Sequence, residues 1–255
     1  MRTYKLTVAY DGTNYQGWQR QTSTDRTIQG ILENILSEKI GMFTEVDGSG
    51  RTDAGVHAKG QVVSVVLPGK VEESFFLSDV NKSLPDDIRI LKSELVKNGF
   101  HARKSAIGKR YEYYIDTGEK ADVFSRRYSY HFPRELDVSV MRMAASYLRG
   151  EHDFSGYTDK KDDTSKKRTI YGIEIQEISD GIDEGGKSRG RVVITYNGTG
   201  FLYHMVRILT GTLLEVGVHE RSVESVKDAL KSGARSQAGF LAPAQGLFLK
   251  EVYYE

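Results

Sequence analysis

The sequence predicts an α+β protein of two ferredoxin-like α/β halves, each with a mainly antiparallel sheet, around a central active-site cleft. Three observations lead there. The first hundred residues show the periodicities β-α-β-β-α-β, the pattern of a split β-α-β unit. The order partly repeats from residue 100. The chain has 255 residues, 38% hydrophobic and 28% charged, enough for two cores of soluble composition. The expected division is an N-terminal α/β domain over 1–99 and a C-terminal α/β domain over 100–255.

Each element has its own signal. Tyr4, Leu6, Val8 and Tyr10 share one face of a strand over Thr3 to Tyr10. A polar loop with Gly12, Gly17 and the sole tryptophan, Trp18, follows. Thr27 is placed to N-cap a helix whose apolar stripe is Ile28, Ile31, Leu32, Ile35 and Leu36, with Gly41 as its stop. Strands are expected over Phe43 to Val46, Gln61 to Leu67 and Ile88 to Val96, and a helix over Phe75 to Leu84 before Pro85. In the second half, Lys104 to Asp116 reads as a strand with alternating Tyr, and Val138 to Leu148 as an amphipathic helix. Ile170 to Ile178 and Arg191 to Tyr196 read as strands, Phe201 to Val216 and Val223 to Lys231 as helices, and Gly246 to Tyr253 as the closing strand. Asp159 to Arg168 (DKKDDTSKKR) is a charged insertion.

Composition excludes several chemistries. With no cysteine there are no disulfides, thiolate metal sites or thiol nucleophiles. The six histidines never fall three to five residues apart, so no local zinc-type pair exists. The N-terminus lacks a signal-peptide core and no apolar run is long enough for a bilayer, so a cytoplasmic protein without membrane contact is expected. Net charge is only +1, but it is unevenly spread. Residues 100–134 hold eight Lys and Arg against four acids, while Glu174 to Glu184 is acidic. Such segregation suits a single face that meets phosphate, and also arises on ordinary solvated surfaces.

Three segments could carry chemistry. The densest is GSGRTDAGVHA at 48–58. Its glycines allow close backbone approach, Arg51 can fork onto a phosphate or carboxylate, and Asp53 is the only acid. One carboxylate beside an arginine suits a nucleophile held ionised, and a lone acid suits paired acid–base work poorly. The third glycine of a dinucleotide loop is replaced by Asp53, and no Gly-Lys-Ser/Thr is present. A braced turn between two strands is the plainer reading of the same residues, and both stand at this point. In the second segment, Lys109 to Tyr114, cations alternate with aromatics, as for base stacking beside phosphate contacts, or as in a half-buried strand. In the third, Phe201 to Arg207, Arg207 is a single cation at an apolar helix start, needing a partner if buried and snorkelling if not. His204 reads as an ordinary satisfied helix histidine.

Together these segments resemble the TruA family of tRNA pseudouridine synthases. YDGTNYQGWQRQ at 10–21 resembles the family's opening motif and 48–58 its catalytic loop. FHARKSAIGKRYEY at 100–113, HDFSGY at 152–157, GFLYHMVR at 200–207 and APAQGLFL at 242–249 resemble its later blocks, in the same order. Ser49 stands where the family pattern has Ala, and the 159–168 insertion is unusually charged. The resemblance implies isomerisation of uridines 38, 39 and 40 in the anticodon stem-loop of tRNA, by a homodimer with no metal or cofactor. It implies that Asp53 is the catalytic carboxylate and that Arg51 helps extrude the target base. Tyr111 would stack on the uracil, Arg207 pair with Asp53, and Leu247 line the base pocket. Lys109 and Arg110 are expected to contact the RNA. Two other classes fit parts of the sequence: a silent RNA-binding module, which would not need Asp53, and a small-molecule α/β enzyme, which would not need the basic aromatic strand.

Overall fold

The computed structural model describes residues 1–182 and 188–255, and side chains outside 179–189. Asp183 and Glu184, which end the acidic stretch, lie outside the described residues. In chain order the elements are β1 (Arg2–Tyr10), α1 (Ile28–Ile40), β2 (Val46–Gly48), β3 (His57–Leu67), β4 (Ile88–Val96), β5 (Gly108–Asp116), β6 (Tyr130–His131), α2 (Val138–Ser146), β7 (Gly150–Asp153), β8 (Lys167–Ile182), β9 (Ser188–Gly198), α3 (Met205–Gly217), α4 (Ser225–Ser232) and β10 (Leu247–Tyr253). The protein is mixed α+β with mainly antiparallel strand pairing. Contacts divide it into one unit of Met1–Ile107 with Phe248–Glu255, and a second of Gly108–Leu247.

In the first unit the strand order is β4-β1-β3-β2, each neighbour antiparallel. The parallel strands β1 and β2 are thus split by β3, as the periodicity predicts. Helix α1 starts and stops where its capping residues dictate. Thr27 accepts from the Gly30 N–H (3.3 Å), and Gly41, left-handed at φ 77°, donates to Ser37. Leu6, Val8, Leu32, Leu36, Val63 and Phe76 fill the core. Two expected elements differ. The strand at Phe43 to Val46 is shorter and later. Thr44 is tied to the end of α1 by Ser37 Oγ (2.8 Å), which leaves Phe43 62% exposed. The helix at Phe75 to Leu84 is a single π turn, Phe75–Val80, followed by turns.

Two segments that the sequence places in the second domain, residues 100–107 and Phe248–Glu255, pack within the first unit. Residues 100–107 form a turn, closed by Ser105 N–H to His101 O (2.9 Å), and Ala102 N–H donates to Ser64 of β3 (3.0 Å). That turn also delays β5 from Lys104 to Gly108. β10 then pairs in parallel with the start of β3, Phe248 opposite His57. The Tyr254 hydroxyl reaches Ala102 O (2.6 Å). Such pairing between distant segments leaves no local signature in the sequence.

In the second unit β5, β9 and β8 stand in that order, again antiparallel, with β7 beyond β8. The relation of β5, β8 and β9 repeats that of β1, β2 and β3, so the partial repeat read from the sequence is present. Helix α3 is buried around most of its circumference. It begins at Met205 and not at Phe201, because His204 takes a left-handed conformation (φ 62°) immediately before it. No helix among the described residues is long and apolar enough to cross a membrane.

Candidate active site

In the first unit the 48–58 loop leaves β2, turns at Gly55 (φ 77°) and enters β3. Its entry is tied to β3. Buried Ser49 donates to Gln61 Oε1 (2.7 Å), and Gln61 Nε2 donates to Gly50 O (2.9 Å). Its crest is held by the opening segment, residues 10–19. The Tyr10 hydroxyl and Thr52 Oγ1 are 2.8 Å apart, Trp18 N–H donates to Thr52 O (3.0 Å), and Gly55 N–H to Tyr15 O (3.3 Å).

Glycines make that approach possible. A Cβ at Gly12 would fall 2.0 Å from Val56 O, one at Gly17 2.7 Å from Thr52 O, and one at Gly48 2.5 Å from the Trp18 ring. Asp53 follows anchored Thr52 and is itself partly exposed. Arg51 is exposed, and its Nε donates to Gln19 Oε1 (2.9 Å), which orients it from the same opening segment. Behind the loop, buried His57 (1% exposed) accepts from Gly12 N–H (3.0 Å) and stacks on Phe248 at 4.6 Å. None of Tyr10, Gly12, Gly17, Trp18 or His57 emerges as a site residue from sequence reasoning. The signal was present in the glycine- and aromatic-rich opening motif, but not its target.

In the second unit strand alternation sorts the basic segment. Lys109, Tyr111 and Tyr113 share one face of β5, and Arg110, Glu112 and Tyr114 the other. Arg110 therefore does not lie beside Tyr111. Tyr111 is buried and meets Phe201 edge-on at 5.3 Å. On the reverse face, Tyr114 donates to Glu112 (2.6 Å). Arg110 Nε is closed to solvent with no hydrogen-bond partner among the described residues.

Arg207 sits in the first turn of α3. Its Nε donates to Ala242 O (2.7 Å), and Ala242 N–H donates back to Arg207 O (3.2 Å). The 239–246 segment that supplies Ala242 lies directly on its neighbours. A Cβ at Gly211 would be 1.9 Å from Phe240 O, and one at Gly246 2.7 Å from the Tyr113 ring. The Tyr113 hydroxyl donates to Pro243 O (2.7 Å). Burial pushes that hydroxyl well above the usual phenol range, with Arg207 opposing. Leu247 follows Gly246 and is buried. The second unit thus brings Tyr111, Arg207 and Leu247 onto one hydrogen-bonded framework, while Asp53 and Arg51 belong to the first. Among the described residues no group of three or more His, Asp or Glu is placed to hold a metal ion.

A family model described as tRNA pseudouridine synthase matches residues 6–103 and 144–255, and the chain belongs to that family. The relatives it resembles carry the name tRNA pseudouridine synthase A. That of Lacticaseibacillus casei (strain BL23) is 43% identical over 256 residues, covering 100% of both chains. That of Bacillus pumilus (strain SAFR-032) is 42% identical over 254 residues, covering 98% of both. That of Clostridium kluyveri is 42% identical over 256 residues, covering 100% of both. The protein is accordingly an isomerase acting on RNA, converting uridine in tRNA to pseudouridine. Asp53, Arg51, Arg207 and Leu247 fall inside the matched residues. Lys109, Arg110 and Tyr111 fall in the stretch between them, which the full-length relatives span.

Proposed function

We propose that the chain isomerises uridines 38, 39 and 40 of the tRNA anticodon stem-loop, with Asp53 as its catalytic carboxylate. The observation that carries the reading is how Asp53 is held. It is a partly exposed carboxylate between Thr52, fixed by Tyr10 and Trp18, and the left-handed turn at Gly55. A reacting group on a rigid backbone loses little freedom when substrate arrives.

The reaction breaks the N1–C1′ bond, turns the uracil and joins C5 to C1′. The C5 proton leaves and N1 gains one, so nothing is oxidised and no group is imported. The chemistry calls for neither metal nor cofactor. Asp53 either attacks C1′ or takes a sugar proton on the way to a glycal, and both routes use this one carboxylate. The target base must leave its stack, at about a few kcal/mol, for a pocket with an aromatic surface. Tyr111 supplies that surface and Leu247 the apolar wall. Arg51 assists extrusion, and Arg207, whose Nε is engaged by Ala242, is the proposed cationic partner of Asp53 in the reaction. Lys109 and Arg110 contact RNA phosphate from opposite faces of β5. The reading extends to a homodimer working in the cytoplasm.

The test is Asp53→Asn, which keeps shape and removes charge. Tritium release from C5-labelled uridine in tRNA should stop, while filter binding stays at the parent affinity or rises slightly, since a carboxylate repels phosphate. Turnover near the parent rate would make the loop a structural brace and remove the assignment.

A further inference from the structure

The residues just before α3 form a cluster that the reaction above does not use. His204 holds φ 62°, a left-handed conformation rare for a non-glycine residue. Its ring is fixed from the side: Nδ1 lies 2.6 Å from Asp159 Oδ2, and Asp159 Oδ1 accepts from Arg235 Nε (3.0 Å). Arg235 in turn donates to Gly239 O (2.9 Å). On the braced His204 ring lies the Tyr203 ring, centroids 3.6 Å apart and 26° from parallel. Thr158 donates to Tyr203 O (2.7 Å) and fixes its backbone. Yet Tyr203 is 52% exposed, and among the described residues His204 is its one ring neighbour.

A large aromatic ring left half in water, on a strained and fully braced support, is an unusual arrangement for a surface residue. Strain of this kind persists where the surroundings over-determine it, and it gathers at binding sites. The occupant follows from the chemistry. A flat ring backed on one side by a second ring and half exposed suits the flat apolar face of a nucleobase. Base-on-aromatic stacking of this type is how proteins hold unpaired nucleotides. The place also fits, since Tyr203 lies four residues before Arg207, in the segment that leads into α3.

We infer that Tyr203, backed by His204, is a second stacking platform, which holds an unpaired nucleobase of the tRNA other than the target uridine. The inference deepens the proposed function, and it rests on the anticodon-loop reading only for where that base lies. Because the platform is pre-ordered, it contributes to substrate binding and not to the bond changes.

The experiment uses full-length enzyme and tRNA transcripts carrying a single 2-aminopurine at successive unpaired positions of the anticodon, D and T loops. One probe in the anticodon loop should be quenched on binding, and Tyr203→Ala should abolish that quenching. Tyr203→Ala should raise KM about 5- to 150-fold, the range that one base stack spans, with kcat little changed. Tyr203→Phe, which keeps the ring, should restore both readouts. Tyr203-dependent quenching confined to the D or T loop would keep the platform and sink the anticodon-loop reading. Quenching unaffected by Tyr203→Ala at every position would overturn the platform. So would a KM effect that Phe does not rescue, or a Tyr203→Ala change confined to the sedimentation coefficient, which would mark a protein contact instead.

Discussion

Gly17→Ala tests whether backbone packing from the opening segment is what positions Asp53. Gly17 sits at φ 91°, where a side chain costs about 1–2 kcal/mol. The new Cβ would also lie 2.7 Å from Thr52 O and 3.2 Å from Ala54 N, atoms on either side of Asp53. Neither is the end of a flexible side chain, so the loop must shift, and overpacking of that kind costs about 1–3 kcal/mol. The expected loss of stability is about 3 kcal/mol, a Tm fall of roughly 6–12 °C for a chain of this size. Relief of the contact moves the Thr52–Ala54 backbone by about half an ångström. A catalytic group misplaced by about 1 Å can cost about 100-fold, so single-turnover tritium release should fall about tenfold. Filter binding should stay at the parent level, because no cation is touched. Gly41→Ala is the matched control: φ is 77°, but nothing among the described residues lies within 4 Å of its Cβ. It should lose only the conformational part of the stability and none of the turnover. If the two variants behave alike in both measurements, the contact with Thr52 does not position Asp53.

Two further outcomes are expected. Lys109→Glu and Arg110→Glu should each weaken tRNA binding and lower the slope of log affinity against log salt by about one unit, and a slope equal to the parent's would remove that residue from the RNA interface. At alkaline pH the buried hydroxyls of Tyr10, Tyr113, Tyr157 and Tyr196, all pushed up by burial, keep their protons when folded and lose them on unfolding. Their contribution is complete below the unfolded phenol pKa of about 10 and declines above it by up to about 5 kcal/mol per pH unit for four groups. Against a total of about 5–15 kcal/mol, unfolding should come about one to three units above pH 10. Tyrosinate absorbance should rise in step with loss of helical circular dichroism, and a gradual rise in a still-folded protein would contradict the assignment.

Where the physics is local, the sequence shows it. The N-cap at Thr27, the left-handed stop at Gly41 and the strand-forming run Ile88 to Val96 act within a few residues, and each element lies where the sequence puts it. Where a distant partner decides, the sequence is silent. β10 belongs with β3, across almost two hundred residues, and the turn at 101–105 is fixed partly through Ser64. The start of α3 looked helical from Phe201 because Phe201, Met205 and Ile208 keep the right spacing. The left-handed His204, held by Asp159 from another part of the chain, breaks that helix before it begins.

The blocks that marked the family in sequence are not separate functions in space. The opening motif at 10–21 and the loop at 48–58 are one object, joined by the Trp18–Thr52 and Tyr15–Gly55 backbone bonds and by glycines whose Cβ atoms would collide. The segments around Tyr113, Arg207 and Ala242 are a second, joined by the Tyr113–Pro243 and Arg207–Ala242 bonds. The block at 152–157 does something else: Tyr157 donates to Val226 O (3.0 Å) and Gly156 packs on Ala229, so it supports α4. Side-chain chemistry pointed to Asp53, Arg51, Tyr111 and Arg207 because those residue types are what a reaction needs. It passed over Gly12, Gly17 and Ala242, whose contribution is the absence of a side chain or the placement of a carbonyl. An Asp or Arg is only as well placed as the backbone beneath it. In both units that backbone is fixed by main-chain contacts between segments far apart in sequence, the one class of interaction that residue types do not announce.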